Sequence, residues 1–258
     1  MEETGKNPIQ VAERLFQVIE RLAENGPMGI MDLSAELGFH KSTTHRLVTS
    51  LQYMGYIRQD EESLKYALSL KFLEIGSKIL EQTNMASLIH PSLKKLSEQT
   101  GETVHLVRRE GTEAVYIDKV ESTVSSIRMV SRVGSRIPLY CSGVGKALLA
   151  ELPDPEIEDI WNSSEITSLT PYTVTSLSDL MDRIRGGRKA GYAMDDEENE
   201  EGVRCIAVSI PDYHKEPVYA LSISAPVSRM TDARIAELSA EVLTFKKDLE
   251  KTLGFSRS

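Results

Sequence analysis

The stretch Lys41-Ser42-Thr43-Thr44-His45-Arg46-Leu47-Val48 decides how the N-terminal part of the chain is interpreted. Apolar residues within and just after it recur at helical spacing and predict a helix that ends at Gly55. The residues of its buried face are Leu47, Val48, Leu51 and Met54. Because one face is buried, the residues of the opposite face must meet solvent or a partner.

The exposed face of this helix carries hydrogen-bond donors and no negative charge. Four of its residues stand at positions i, i+3, i+4 and i+7 and therefore share one face. They are Ser42, His45, Arg46 and Thr49. A helix of this size fits the major groove of DNA, where Arg, Ser and Thr contact base edges or phosphates. For the helix alone, the alternative is a solvated polar face on a small helical domain.

Two helices are predicted before this helix and a hairpin of two strands after it. The spacing of apolar residues and the turn residues predict helices over 11–22 and 31–37 and strands over 56–58 and 64–67. Gly38 closes the second helix, and the acidic residues 60–63 form the tip of the hairpin. Three small helices followed by a two-stranded hairpin are the pattern of a winged helix-turn-helix domain.

The charge of the chain gives two opposing indications. The net charge is −9, and residues 1–84 hold 9 Lys and Arg against 12 Asp and Glu, a net of −3. An acidic domain is unusual for a DNA-binding protein. Residues 37–59, however, contain three basic residues and no acidic one. Together with the order of helices and hairpin, this segment favours DNA as the partner.

The rest of the 258-residue chain is predicted to mix helices and strands in an α+β domain. The predicted domains are a winged helix-turn-helix over 1–68, a linker helix over 69–84 and a second domain over 85–258. In the second domain, a short helix over 93–99 follows His90-Pro91. The predicted strands of that domain are 104–107, 114–117, 126–130, 206–210 and 218–224. An apolar stripe on the linker helix, formed by Phe72, Ile75 and Ile79, is the proposed contact between two copies of the chain.

Composition predicts a cytoplasmic protein without a membrane partner. No apolar run approaches the length of a membrane helix, and the first residues lack the apolar core of a signal peptide. Cys141 and Cys205 are too few for a disulfide framework, so a reducing compartment is the simplest interpretation.

The run Ser142-Gly143-Val144-Gly145-Lys146-Ala147 resembles a phosphate loop, but Tyr140 and Ala147 replace the Gly and the Ser or Thr that such a loop needs. A tight turn into a helix remains, and its free amides can hold a carboxylate. The acidic run 195–201 lacks calcium-loop spacing, and the histidines lack zinc spacing. We therefore expect no metal and no cofactor, and an enzyme is the weaker class.

At this point the chain resembles the IclR family of bacterial transcription regulators along nearly its whole length. Residues 41–47 look like the family's recognition helix, followed by Leu51 and Gly55-Tyr56 at its end. The C-terminal signature of the family is matched at Gly191, Asp195, Glu198, Cys205, Ile206, Ala207, Ile210 and Asp212. Pro211 departs from that signature, which has an aromatic residue or His there.

The resemblance implies a winged-helix domain, a linker helix and a GAF-like domain that binds a small effector. It also implies a homodimer or a dimer of dimers on a palindromic operator in double-stranded DNA. The expected DNA-binding residues are Lys41, Ser42, Thr43, Thr44, His45, Arg46 and Thr49. The residues carried over to the effector pocket are Met129, Ile137, Gly143, Val144, Asp195, Cys205, Ser222 and Ser224.

Within the family, the chain is most similar to regulators of sugar-acid catabolism of the 2-keto-3-deoxygluconate type. An acidic ligand suits Arg128, Arg204 and the helix N-terminus at Gly143. The function expected is therefore a DNA-binding transcriptional regulator controlled by a small carboxylate. The alternative is a GAF-like metabolite-binding enzyme or sensor whose N-terminal domain contacts protein.

Overall fold

In the computed structural model the chain forms two compact units, residues 1–83 and residues 84–258. The structure describes residues 8–82, 85–122, 131–212 and 214–253. The elements of the first unit are α1 (Gln10–Asn25), α2 (Ile30–Leu37), α3 (Lys41–Tyr53), β1 (Ile57–Gln59), β2 (Tyr66–Leu68) and α4 (Lys71–Gln82).

Helices α1, α2 and α3 bury their apolar faces against one another. Helix α2 ends at Gly38, whose φ of 66° is in the left-handed region that glycine adopts without strain. Only two residues then separate Gly38 from the start of α3, so this turn fixes the direction in which α3 leaves α2. The core they share contains Val18, Leu22, Leu33, Leu47, Val48 and Leu51.

The hairpin is the wing that the sequence predicted. Strands β1 and β2 are antiparallel, with Ile57 opposite Leu68. At the acidic tip, the carboxylate of Asp60 accepts hydrogen bonds from the amide and the hydroxyl of Ser63, at 2.8 and 2.7 Å. The prediction of a winged helix-turn-helix followed by an α+β domain is confirmed.

The start of α4 packs on the winged helix of the same chain. The ammonium of Lys71 lies 4.2 Å from the ring centre of Tyr56 and donates to the carbonyl of Met54 at 2.7 Å. The ring of Phe72 lies 5.3 Å from that of Tyr56. Phe72 is therefore engaged within its own unit, whereas Leu73 and Ile75 are exposed. The side chain of Ile79 lies outside the described part.

The second unit contains a six-stranded sheet with helices on both faces. Its elements are α5 (Met85–Thr100), β3 (Thr103–Glu110), β4 (Glu113–Val120), β5 (Arg136–Pro138), α6 (Gly143–Ala150), α7 (Asp154–Asn162), α8 (Leu177–Ala190), β6 (Ala193–Asp196), β7 (Val203–Ile210), β8 (Tyr219–Pro226) and α9 (Asp232–Thr252). The strand order is β5-β4-β3-β8-β7-β6, and all neighbours are antiparallel. Within the described residues, no helix is long and apolar enough to cross a membrane.

Helix α5 corrects the prediction of a short helix over 93–99. The helix begins at Met85 and continues through Pro91. Proline inside a helix leaves one backbone hydrogen bond unmade. The burial of Ile89 and Leu93 against the sheet on either side of Pro91 offsets that cost. The predicted strand over 126–130 lies outside the described residues, and the short edge strands β5 and β6 were not predicted.

Strand alternation divides the side chains of the sheet between two cores. On β7, Cys205 and Ala207 face α6, whereas Ile206 and Val208 face the side covered by α5 and α9. Helix α6 lies very close to the segment after β5, because a Cβ at Gly145 would be 2.6 Å from the carbonyl carbon of Leu139. Only glycine, whose side chain is a hydrogen atom, therefore fits at position 145 without a shift of the backbone.

We expect Gly145→Ala to lower the free energy of unfolding by roughly 1–3 kcal/mol through overpacking. Gly186→Ala in α8 is the matched control, because nothing lies within 4 Å of a Cβ there. That control should raise the free energy of unfolding by up to about 1 kcal/mol, since alanine is the better helix former. Urea unfolding of both variants measures this, and equal stabilities would contradict the close packing of α6.

Candidate functional site

The exposed face of α3 carries five of the seven residues expected to bind DNA. Lys41, Ser42, His45, Arg46 and Thr49 are exposed, and Thr43 is half-buried. The face contains no carboxylate between Lys41 and Tyr53. The Oγ1 of Thr49 lies 3.4 Å from Nδ1 of His45, one turn away. These side chains form one polar surface of hydrogen-bond donors and two fixed positive charges.

The prediction that Thr44 contacts DNA is wrong. Its side chain is fully buried, and its hydroxyl points to the carbonyl of His40 at 3.4 Å. The reason is helical geometry, because Thr44 lies three and four residues before the core residues Leu47 and Val48. Tyr53, which was not predicted, is 93% exposed one turn beyond Thr49 and extends the same face.

The second unit holds a small cavity at the N-terminus of α6, with a volume of about 40 Å³. Seven of the residues expected to bind an effector line it. They are Ile137, Gly143, Val144, Asp195, Cys205, Ser222 and Ser224. They come from four strands and one helix, so the fold brings together residues that are up to 87 positions apart in the sequence. Arg128 and Met129 lie outside the described residues.

The amides at the start of α6 are partly used within the protein. Ser142 caps the helix, because its hydroxyl accepts from the Gly145 amide at 3.1 Å and donates to the carbonyl of Pro138 at 2.6 Å. Gly143 packs against Cys205, and its amide opposes the burial that raises the pKa of that thiol. A carboxylate at this helix end would thus depend on the amide of Val144 and on the helix dipole.

Burial controls the ionisation of the groups around the cavity. It raises the pKa of the Cys205 thiol well above its usual value and that of Cys141 to about 12, so neither thiol is a ready nucleophile. Burial also raises the pKa of Asp195 to about 6, against the opposing effect of Lys146. The Oδ1 of Asp195 accepts from the amides of Glu198 and Asn199 at 2.8 and 3.3 Å.

A buried ion pair between Lys146 and Glu198, which was not predicted from the sequence, lies beside Asp195. The two side chains are 1% and 2% exposed. The hydroxyl of Thr173 donates to the carbonyl of Glu198 at 2.6 Å, and the hydroxyl of Thr170 donates to the carbonyl of Glu197 at 2.6 Å. The acidic run is therefore a structured loop. Among the described residues, no group of three or more His, Cys, Asp or Glu could hold a metal.

The prediction that Arg204 reaches the cavity is wrong. Its guanidinium pairs with Asp196 at 2.6 Å and with Asp232 at 3.0 Å, and it donates to the carbonyl of Met230 at 2.8 Å. Because Cys205 faces the cavity, its neighbour on the strand must point to the other face of the sheet. The acceptors at the start of α9 hold Arg204 there.

Seven further residues that line the cavity were not predicted to bind an effector, among them Ser142, Asn199, Glu200 and Val203. The other three carry an imidazole or a hydroxyl group. They are His105, Tyr116 and Ser131. His105 lies between Val104 and Leu106, and a single histidine within an apolar stretch of a predicted strand was the signal that could have identified it. Burial raises the pKa of the Tyr116 hydroxyl above its usual value, so it remains a hydrogen-bond donor.

Two family models match this chain. A family model for the IclR helix-turn-helix domain matches residues 11–61, and one for the bacterial transcriptional regulator IclR C-terminal domain matches residues 77–250. The acetate operon repressor of Salmonella typhimurium is 37% identical over 252 residues, 96% of this chain and 92% of that protein. The regulator KdgR of Escherichia coli is 34% identical over 252 residues, 97% and 95% of the two chains.

The crystal structure of Thermotoga maritima IclR aligns with a TM-score of 0.63 and 32% identity, over 95% of this chain and 99% of that one. The relatives are named as transcriptional regulators and not as enzymes. The chain therefore belongs to the IclR family of bacterial transcriptional regulators, and it is a DNA-binding regulator rather than an enzyme.

Proposed function

We propose that the protein binds a palindromic operator as a homodimer or a dimer of dimers, and that a small carboxylate, a sugar acid, controls this binding. The observation that carries the proposal is the polar cavity at the N-terminus of α6 in a chain whose other unit presents an acid-free recognition helix. Exposed Leu73 and Ile75 on α4 supply an apolar contact for a second copy. A bacterial DNA-binding regulator works beside the chromosome, which supports a cytoplasmic location.

The DNA contact proposed is the α3 face in the major groove. Arg46 and Lys41 supply the charge, and Ser42, His45 and Thr49 supply further donors. One such helix reads only a few base pairs, so two copies related by twofold symmetry on a palindrome would give the required specificity. The acidic tip of the wing is repelled by phosphate, which leaves α3 as the principal contact.

The ligand proposed is an anion with hydroxyl groups. The dipole of α6 favours a negative charge at Val144, and the hydroxyls of Ser222 and Ser224 can bind carboxylate oxygens or ligand hydroxyls. Asp195 has a pKa near 6 and can become neutral, so it need not repel a carboxylate. A cavity of about 40 Å³ is smaller than a sugar acid, so the lining segments must move apart on binding.

The choice of a sugar acid rests on similarity to KdgR as well as on the hydroxyl groups of the cavity. The acetate operon repressor is 37% identical to this chain, against 34% for KdgR, and its name refers to an operon for another small carboxylate. The resemblance to sugar-acid regulators and the name of the acetate operon repressor both favour a carboxylate effector, and the hydroxyl donors of the cavity favour the larger, hydroxylated acid. A thermal-shift screen with sugar acids and simple carboxylates separates the two.

We expect Arg46→Ala to weaken operator binding by about tenfold or more, since a lost base contact costs roughly 1–3 kcal/mol. Ser42→Ala should weaken it less, because one neutral hydrogen bond is removed. Fluorescence anisotropy with DNA from upstream of the gene measures this. Arg183→Ala, an exposed arginine on α8, is the control with the same change in charge and should bind normally. Unchanged affinity in folded Arg46→Ala would remove α3 from the major groove.

We expect the double variant Ser222→Ala/Ser224→Ala to lose affinity for sugar acids, because two hydroxyl partners of the ligand are removed. Calorimetric titration with sugar acids and uncharged sugars measures this. Ser239→Ala is the control, since that hydroxyl only donates to the carbonyl of Ala236 on α9. Full affinity in the double variant, or a preference for uncharged sugars, would refute the site.

We expect the affinity for a carboxylate to rise as the pH falls toward 6. Protonation of Asp195, whose pKa is raised to about 6, removes a negative charge from the cavity. Above that pH the affinity should fall by up to about tenfold per pH unit. In Asp195→Asn the pH dependence should vanish. Titrations from about pH 6 to about pH 8 test this, and an equal slope in both proteins would contradict the role of Asp195.

A further inference from the structure

His105 stands at the centre of the cavity face of the sheet. It lies on β3 directly opposite Ser222 of β8 on one side and Lys119 of β4 on the other. Its side chain is buried, and its ring centre lies 5.2 Å from that of Tyr116. The register of three strands therefore fixes the ring between the proposed ligand-binding serines and β4.

Both ring nitrogens of His105 face hydroxyl groups. The Nδ1 lies 3.3 Å from Oγ of Ser224 and 3.5 Å from Oγ of Ser222. The Nε2 lies 2.8 Å from Oγ of Ser131. Hydroxyls can donate or accept, so the position of the imidazole proton decides the direction of each hydrogen bond between His105 and the three serines.

The ring carries only one such proton. Burial, aided by the nearby charge of Lys119, lowers the pKa of His105 to about 3, so the imidazole is neutral at any pH at which the protein works. If Nδ1 carries the proton, Nε2 must accept from Ser131. If Nε2 carries it, Nδ1 must accept from one of the two serines on β8.

Ser131 belongs to a stretch, residues 131–137, that lines one side of the cavity at both ends. Its carbonyl accepts from the ammonium of Lys119 at 2.8 Å. Three residues on, the amide of Gly134 donates to the carbonyl of Tyr116 at 2.8 Å. The segment then enters β5, where Ile137 lines the cavity. A change in the hydrogen bond of the Ser131 hydroxyl thus affects the stretch that lines this side of the cavity.

We propose that His105 is a positioning residue that couples the hydrogen bonds of the ligand at Ser222 and Ser224 to Ser131. Whether the ligand group accepts or donates at the two serines sets the tautomer of His105, and the tautomer sets whether Ser131 donates to Nε2 or accepts from it. This inference rests on the proposed effector function of the cavity. A ligand oxygen that only accepts, as in a carboxylate or a keto group, accepts hydrogen bonds from the two serine hydroxyls. Their oxygens then accept from Nδ1–H, and Ser131 donates to Nε2. A ligand that donates to the serines selects the opposite tautomer.

The tautomer can be measured in the ligand-free protein by nitrogen-15 NMR of His105. Ser131→Ala removes the partner of Nε2, so the proton should move to Nδ1, because an unpaired buried N–H costs more than an unpaired lone pair. Ser222→Ala/Ser224→Ala removes both partners of Nδ1, so the proton should move to Nε2. The same tautomer in both variants would overturn the proposal, whatever the ligand is.

The second measurement uses 2-keto-3-deoxygluconate as the probe. The proposal places an oxygen of this probe that only accepts, from its carboxylate or keto group, at Ser222 and Ser224, so at saturation the proton should lie on Nδ1. His105→Asn retains a donor near Nδ1 and should bind the probe within about threefold of wild type, whereas His105→Phe should lose about tenfold, the effect of one lost hydrogen bond. Equal affinities in the two variants, or an Nε2–H tautomer in the saturated protein, would overturn the proposal. Absence of any binding heat would refute the sugar-acid ligand and leave the ligand-free measurement to decide the role of His105.

Discussion

The buried ion pair between Lys146 and Glu198 is the interaction on which the cavity at the N-terminus of α6 depends. It joins α6 to the loop after β6, and the backbone amide of Glu198 also holds Asp195 at 2.8 Å. Removing one partner of such a pair costs about 3–5 kcal/mol, because the other charge is left buried. The pair therefore fixes the N-terminus of α6 opposite Asp195, and the shape and charge of the cavity follow from that position.

The N-terminal unit was largely predictable because its signals are local. The apolar spacing of α3 identified Leu47, Val48 and Leu51 as buried and predicted the exposed donors, but Met54, also predicted to be buried, lies just past the end of the helix and is exposed. Gly38 and the acidic hairpin tip marked the turns. Thr44 is the exception: it was assigned to the DNA-binding face with its neighbours in the family motif, although its helical position faces the core. Helical geometry was the better guide than the continuity of the motif.

The second unit was less predictable because its site is assembled from distant strands. The family resemblance indicated Asp195, Cys205, Ser222 and Ser224, and these four residues line one cavity. The direction in which Arg204 points depends on acceptors from α9, and the role of His105 depends on pairing between β3 and β8. Neither partner is adjacent in the sequence, so spacing alone could not identify them.

Two sites in two units make a regulator only if binding at one changes binding at the other. Such coupling is reciprocal, so an effector that alters operator affinity must bind the operator complex with an affinity altered by the same factor. The most direct test is calorimetric titration of 2-keto-3-deoxygluconate into the free protein and into its complex with operator DNA. Coupling between the two sites requires two different dissociation constants, whose ratio equals the change in operator affinity caused by the ligand. Identical dissociation constants would contradict it.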